Sequence, residues 1–185
     1  DELKRVHWKL SMRRQSLMVH TYETPQRPDA LVLLDCGAPK CAPAVRAALV
    51  DVLAEACAGT LKSLLEAGRA THLPLSPSGQ GEFSGHDAQS LPAMLRAVAA
   101  AGYSETTDFS RVLWLASRRM QRTGSTAILT TRLTPAVADA AIALSRMGSK
   151  MRFTLVTAGE PSEEEAQLLH LLFASGLETA HIRAA

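Results

Sequence analysis

The 185-residue chain reads as an α/β domain: a mainly parallel, doubly wound sheet with helices on both faces, in a Rossmann-type three-layer arrangement. Three observations predict it. Short apolar runs alternate with longer stretches of helical period. One run, Ala30–Asp35, is continuous and ends in a carboxylate, the pattern of a central strand buried on both sides. Aromatic residues are only 4% while alanine is abundant, which suits helices packed close on a sheet.

The elements follow in order. Residues 1–29 differ from the rest. Arg5–Lys9 and Leu17–Glu23 read as extended segments joined by a polar turn at Arg13-Arg14-Gln15. Pro25 and Pro28 mark a linker, so the expected division is 1–29 as an N-terminal segment and 30–185 as the main domain. Ala30–Asp35 is the first core strand. Pro43 to Ala67 is a long helix with Val45, Leu49, Val52, Ala56, Leu61 and Leu64 on its expected inner face, and Gly68 stops it. Gly59 in mid-helix costs about 1 kcal/mol against alanine, so it is expected to mark close packing on the sheet.

Thr71–Leu75 is a second strand, and Gly81–Ser84 returns as an antiparallel edge after turn residues. Helices are expected over Ser90–Ala101 and Asp108–Arg122. Thr126–Thr131 is a strand, and Thr134-Pro135 caps and opens the next helix. Arg152–Thr157 is a strand, Ser162–Glu165 is a capping box opening the last helix, and Glu178–Ile182 is the final strand.

The net charge of +2 is too small to imply a polyanion partner. Its distribution is uneven. Residues 111–152 hold eight Arg and Lys against the single acid Asp139, whereas 160–178 hold five Glu and neither Arg nor Lys. Three cysteines, Cys36, Cys41 and Cys57, are an odd number in a chain too large to need disulfides, so a reduced, cytoplasmic setting is expected. No run reaches transmembrane length. The start Asp1-Glu2-Leu3 lacks Met, which suggests a piece of something longer.

The opening Asp1-Glu2-Leu3-Lys4-Arg5-Val6-His7-Trp8-Lys9-Leu10-Ser11-Met12-Arg13, followed by Leu17-Met18-Val19 and Glu23, resembles the signature of the bacterial domain of unknown function fifty-eight. The shared core is His-Trp-Lys-x-Ser-x-Arg, and the downstream order of elements agrees with that family's von Willebrand factor A-like domain. The resemblance implies a parent with two membrane helices and a small β domain upstream, this domain on the cytoplasmic side, and a MoxR-type AAA+ ATPase as neighbour and partner.

It also implies a comparison of metal loops. A metal-competent domain of that kind holds Mg²⁺ through Asp-x-Ser-x-Ser after the first strand, a Thr in a second loop and an Asp after the fourth strand, since Mg²⁺ demands hard oxygen ligands in near-octahedral array. Here the first loop is Asp35-Cys36-Gly37-Ala38-Pro39. Asp35 matches, but Gly37 and Pro39 offer no side-chain oxygen. Thr107 matches in the second loop. In the third, Thr130-Thr131-Arg132-Leu133, Arg132 takes the aspartate's place. Arg132 is therefore expected to stand in for the ion beside Asp35.

Other motifs weigh less. Cys36 and Cys41 lack the further ligands that zinc requires and are read as structural thiols. Gly79-Gln80-Gly81 with Gly85 lacks the Walker pattern and reads as a hairpin turn. His86-Asp87 is half a hydrolytic triad without a nucleophile elbow, and Asp87 is better placed as a cap. His7, Trp8, Lys9 and Arg13 read as a seam to an upstream domain. The basic stretch lacks aromatic interleaving, so no nucleic-acid partner is expected, nor membrane contact by this fragment itself.

The expected function is a non-catalytic protein-interaction module that needs no cofactor, with Asp35, Gly37, Pro39, Thr107, Thr131 and Arg132 as its candidate face. Two readings stand beside it. One is an Mg²⁺-dependent binding module using Asp35, Thr107 and a Thr130 or Thr131 hydroxyl. The other is an enzyme or small-molecule binder in the crevice at the strand tips.

Overall fold

The structure, a computed structural model, describes residues 12–15, 28–75 and 81–184. Among the described residues six strands form one sheet: β1 (Ala30–Leu34), β2 (Thr71–Pro74), β3 (Glu82–Gly85), β4 (Ser125–Thr130), β5 (Lys150–Thr157) and β6 (Glu178–Arg183). Their order is β3-β2-β1-β4-β5-β6. Only β3 runs antiparallel, as the edge partner of β2.

Among the described residues five longer helices cover the sheet: α1 (Pro43–Glu66), α2 (Leu91–Ala100), α3 (Phe109–Met120), α4 (Pro135–Ser145) and α5 (Glu163–Ala174). Residues 12–14 are helical in place of the expected polar turn. Because side chains alternate along a strand, β1 feeds two cores. Leu31 and Leu33 pack with Phe109, Leu113, Val137, Ala141 and Leu172 of α3, α4 and α5. Val32 and Leu34 pack with Leu49, Leu53, Cys57 and Met94 of α1 and α2. Every residue of β1 is buried, as its unbroken apolar run requires.

Local signals account for the helix ends. Asp108, Thr134 and Ser162 each accept a backbone N–H at their helix start. Ser162 and Glu165 complete a reciprocal capping box. Gly68, Gly148 and Gly176 follow helices with positive φ, 69°, 98° and 90°, where a Cβ is costly. Asp87 accepts from the N–H and hydroxyl of Ser90 and opens the turn before α2, which is its role in place of half a triad.

Of the expected inner face of α1, Leu49 and Leu61 are buried, and Val52, Ala56 and Leu64 pack partly buried against the same core; Val45 is the exception. The buried stripe is Leu49, Leu53, Cys57, Leu61 and Leu65, and Val45 is 36% exposed. Alanine and other small residues border that stripe, so its hydrophobic period is faint and the sheet decides which stripe turns inward. Gly59 does not mark close packing either. A β-carbon there would meet nothing within 4 Å, because Gly59 borders an open hollow of about 500 Å³ between α1 and strands β4 to β6. Close packing falls instead on Gly85, where a β-carbon would come within 2.7 Å of Ser90 Cβ.

Candidate functional site

The strand order reverses at β1. Its two neighbours are β2 and β4, both parallel to it, and the connections leave toward opposite faces. In such sheets the crevice lies past the carboxyl ends of the two central strands. Asp35 follows β1 there, and Thr130, Thr131 and Arg132 end or follow β4.

Asp35 is 2% exposed, and the Arg132 side chain 14%. Arg132 Nε donates to Asp35 Oδ2 at 3.0 Å and Nη2 donates to Oδ1 at 2.6 Å, a two-pronged, charge-assisted contact. The Thr130 hydroxyl donates to Oδ2 at 2.7 Å, and the Gly37 N–H donates to Oδ1 at 2.9 Å. The Thr130 oxygen in turn accepts the Arg132 backbone N–H at 2.9 Å. A carboxylate has about four acceptor sites, and these four donors occupy them. Hydrogen bonding to Asp35, with its charge and that of Asp108, holds Arg132 above its ordinary value against the opposing effect of burial.

The glycine of this loop has a steric cause. A β-carbon at Gly37 would fall on the guanidinium of Arg132. Gly37 also bridges to Glu105, whose N–H donates to Cys36 O at 3.1 Å, so the first loop is tied to the segment leading into α3. Pro39 is buried. Thr107 lines a space of only about 20 Å³ with Asp35 and Gly37. Thr131 is buried, and its hydroxyl has no hydrogen-bond partner among the described residues.

A divalent ion does not fit this arrangement. Asp35 has its acceptor sites filled, Gly37 and Pro39 supply no oxygen, and a guanidinium fills the space beside the carboxylate. What remains reachable is the outer side of Arg132. It borders a shallow hollow of about 220 Å³ shared with Lys40, Thr106, Asp108 and Thr134.

Sequence reasoning placed Asp35, Gly37 and Arg132 together, and the geometry joins them. It left Thr130 and Thr131 open as the hydroxyl beside Asp35, since consecutive threonines at a strand end differ only in which face they meet; Thr130 is the one that donates. It also passed over Lys40 and Asp108 as rim residues. Of the proposed seam, Arg13 is exposed, and His7, Trp8 and Lys9 lie outside the described residues, as do Gly79 and Gln80.

The loop cysteines form no bridge. Burial, then the charges of Asp35 and Glu105, push the Cys36 thiol up to about 11. Burial, then Cys36, pushes Cys57 to about 12. Both are protonated at neutral pH and weak nucleophiles.

One string went unread in the sequence. His72 joins Ser84 Oγ at 2.9 Å through Nδ1 and Asp29 Oδ2 at 3.1 Å through Nε2. Hydrolysis would also need oxyanion donors and a substrate hollow. Ser84 instead sits exposed on the edge strand β3, opposite His72. The string is a cross-strand tie that anchors Asp29, together with Arg69 donating to Pro28 O and the Gly124 N–H donating to Asp29 O.

Compared with models of known protein families and with curated proteins, the chain matches none. The resemblance to the domain of unknown function fifty-eight rests on the residues quoted for it and on the order of elements.

Proposed function

We propose that this domain is a non-catalytic protein-interaction module of von Willebrand A-like kind that works without a divalent metal. A single observation supports the reading most: the acceptor sites of Asp35 are filled by Arg132, Thr130 and Gly37. The interaction surface is the loop face around Arg132 with Lys40, Thr106 and Thr134 at its rim. Through the family resemblance, the partner is a MoxR-type AAA+ ATPase, and the parent is membrane-anchored with this domain on the cytoplasmic side.

The metal-dependent reading would require Asp35 to release Arg132 first. The small-molecule reading would require a deep pocket with convergent polar groups at the strand tips, where the spaces are about 20 Å³ beside Thr107 and a shallow hollow of about 220 Å³ beside Arg132.

Two measurements test the proposal. Titration calorimetry with Mg²⁺ and Mn²⁺ should give no heat, and neither ion should move the melting temperature. Binding to a MoxR-type ATPase, measured by interferometry, should be indifferent to EDTA and weakened by Lys40→Glu. Metal-dependent binding, or binding blind to the rim substitution, would reject it.

A further inference from the structure

The helical layer α3-α4-α5 carries two unlike outer faces. On α3, Phe109, Leu113, Ala116 and Met120 turn inward. Helical spacing then places Arg111 and Arg118 along the opposite ridge, Arg122 follows in the turn past the helix end, and all three are exposed. None of the three forms an ion pair among the described residues. Arg119, in contrast, is held by Glu82 at 2.9 Å. Trp114 and Leu115 flank the ridge at 50% and 58% exposure.

On α5, Leu172 turns inward. The outer side carries Glu163 and Glu164 in the first turn, both exposed and both without an ion-pair partner among the described residues. Leu171 and Phe173 are 44% and 66% exposed toward the other end. Helix α4 packs between α3 and α5, so the two faces sit at the two sides of one layer.

The faces complement each other in both respects. One is basic with two exposed apolar side chains, and the other is acidic with two exposed apolar side chains. We infer that the α3 face of one copy of this domain docks on the α5 face of a second copy. Arg118 meets Glu163 and Glu164, while Trp114 and Leu115 cover Leu171, which lies on the Glu164 side of α5. Aromatic and arginine anchors of this kind dominate interface energetics, and opposite charges set the register. A contact between two different faces either closes a ring or continues as a filament. This surface is separate from the loop face around Arg132, so the inference does not depend on the proposed function.

Sedimentation velocity tests it on the whole chain across a concentration series. The wild type should self-associate, less so as salt rises. Arg118→Glu and Glu163→Arg should each weaken association by about tenfold or more, with unchanged circular dichroism. Mixing those two variants should restore it, because each keeps the face the other has lost. Trp114→Ala should weaken it at every salt concentration. A wild type that stays monomeric throughout, or an association that both charge variants leave intact, would overturn the inference. So would a mixture no better than its components.

Discussion

The guanidinium of Arg132 lies against Gly37, in the volume a β-carbon at position 37 would occupy. The two residues are therefore coupled, although 95 positions separate them in the chain. Gly37→Ala and Gly37→Ser should each destabilise the domain by about 1–3 kcal/mol, the usual cost of overpacking. The cost should shrink when Arg132 is also shortened. A double-mutant cycle with Arg132→Ala, followed by urea unfolding, measures the coupling, expected at about 0.5–3 kcal/mol.

Arg132→Ala alone leaves a buried carboxylate without its cation. Breaking a buried pair from one side costs about 3–5 kcal/mol, and the 14% exposure of Arg132 places this case toward the lower end. Arg132→Lys should recover only part of the loss, since an ammonium cannot span both oxygens. Thermal melts of the three proteins should rank them in that order.

Thr130→Val keeps the shape of the side chain and removes one donor to Asp35 and one acceptor for the Arg132 N–H. The expected loss is about 1–3 kcal/mol, the cost of leaving buried groups unpaired. Thr131→Val should be neutral or mildly stabilising, because its enclosed hydroxyl has no partner among the described residues. Equal effects at the two positions would contradict the assignment of Thr130 as the inner residue.

Alkaline pH should weaken the fold. Cys36 and Cys57 ionise near 11 and 12 in the folded chain, against an ordinary 9.0. Above 9 the unfolded state loses these protons first, so stability that is full below pH 9 falls as pH rises. The slope is on the order of 1 kcal/mol per pH unit for each thiol in that window. Cys57→Ala should flatten the decline between pH 9 and its plateau. At neutral pH a thiol reagent should modify the half-buried Cys41 well before the other two.

Much of this molecule could be read from residues whose local chemistry admits one outcome. The unbroken run of β1, the Thr134-Pro135 start, the Ser162–Glu165 box and the glycines after helices are of that kind. Asp35 at the strand tip was legible because a lone carboxylate ending an apolar run is uncommon. Its partner was legible only through a comparison of loops, since nothing local to Arg132 points toward β1.

Other features depend on contacts that the sequence does not encode locally. Leu53, Cys57 and Leu65 rather than Val45 form the inner stripe of α1 because an alanine-rich helix has a weak period. Gly59 borders open space for the same reason: what a helical glycine faces is decided by the neighbouring strands. The division of labour between Thr130 and Thr131 follows from strand register alone. The line from Asp29 through His72 to Ser84 joins three positions whose spacing carries no pattern.

The strand order has a consequence for synthesis. β1 lies between β2 and β4, and β4 reaches the ribosome exit about 95 residues later. At about 5–20 residues per second, the edge of β1 facing β4 stays unpaired for roughly 5–20 s. Leu31 and Leu33 lack α4 and α5 throughout that interval, and α3 for most of it. Rare codons between residues 35 and 125 would lengthen that exposure.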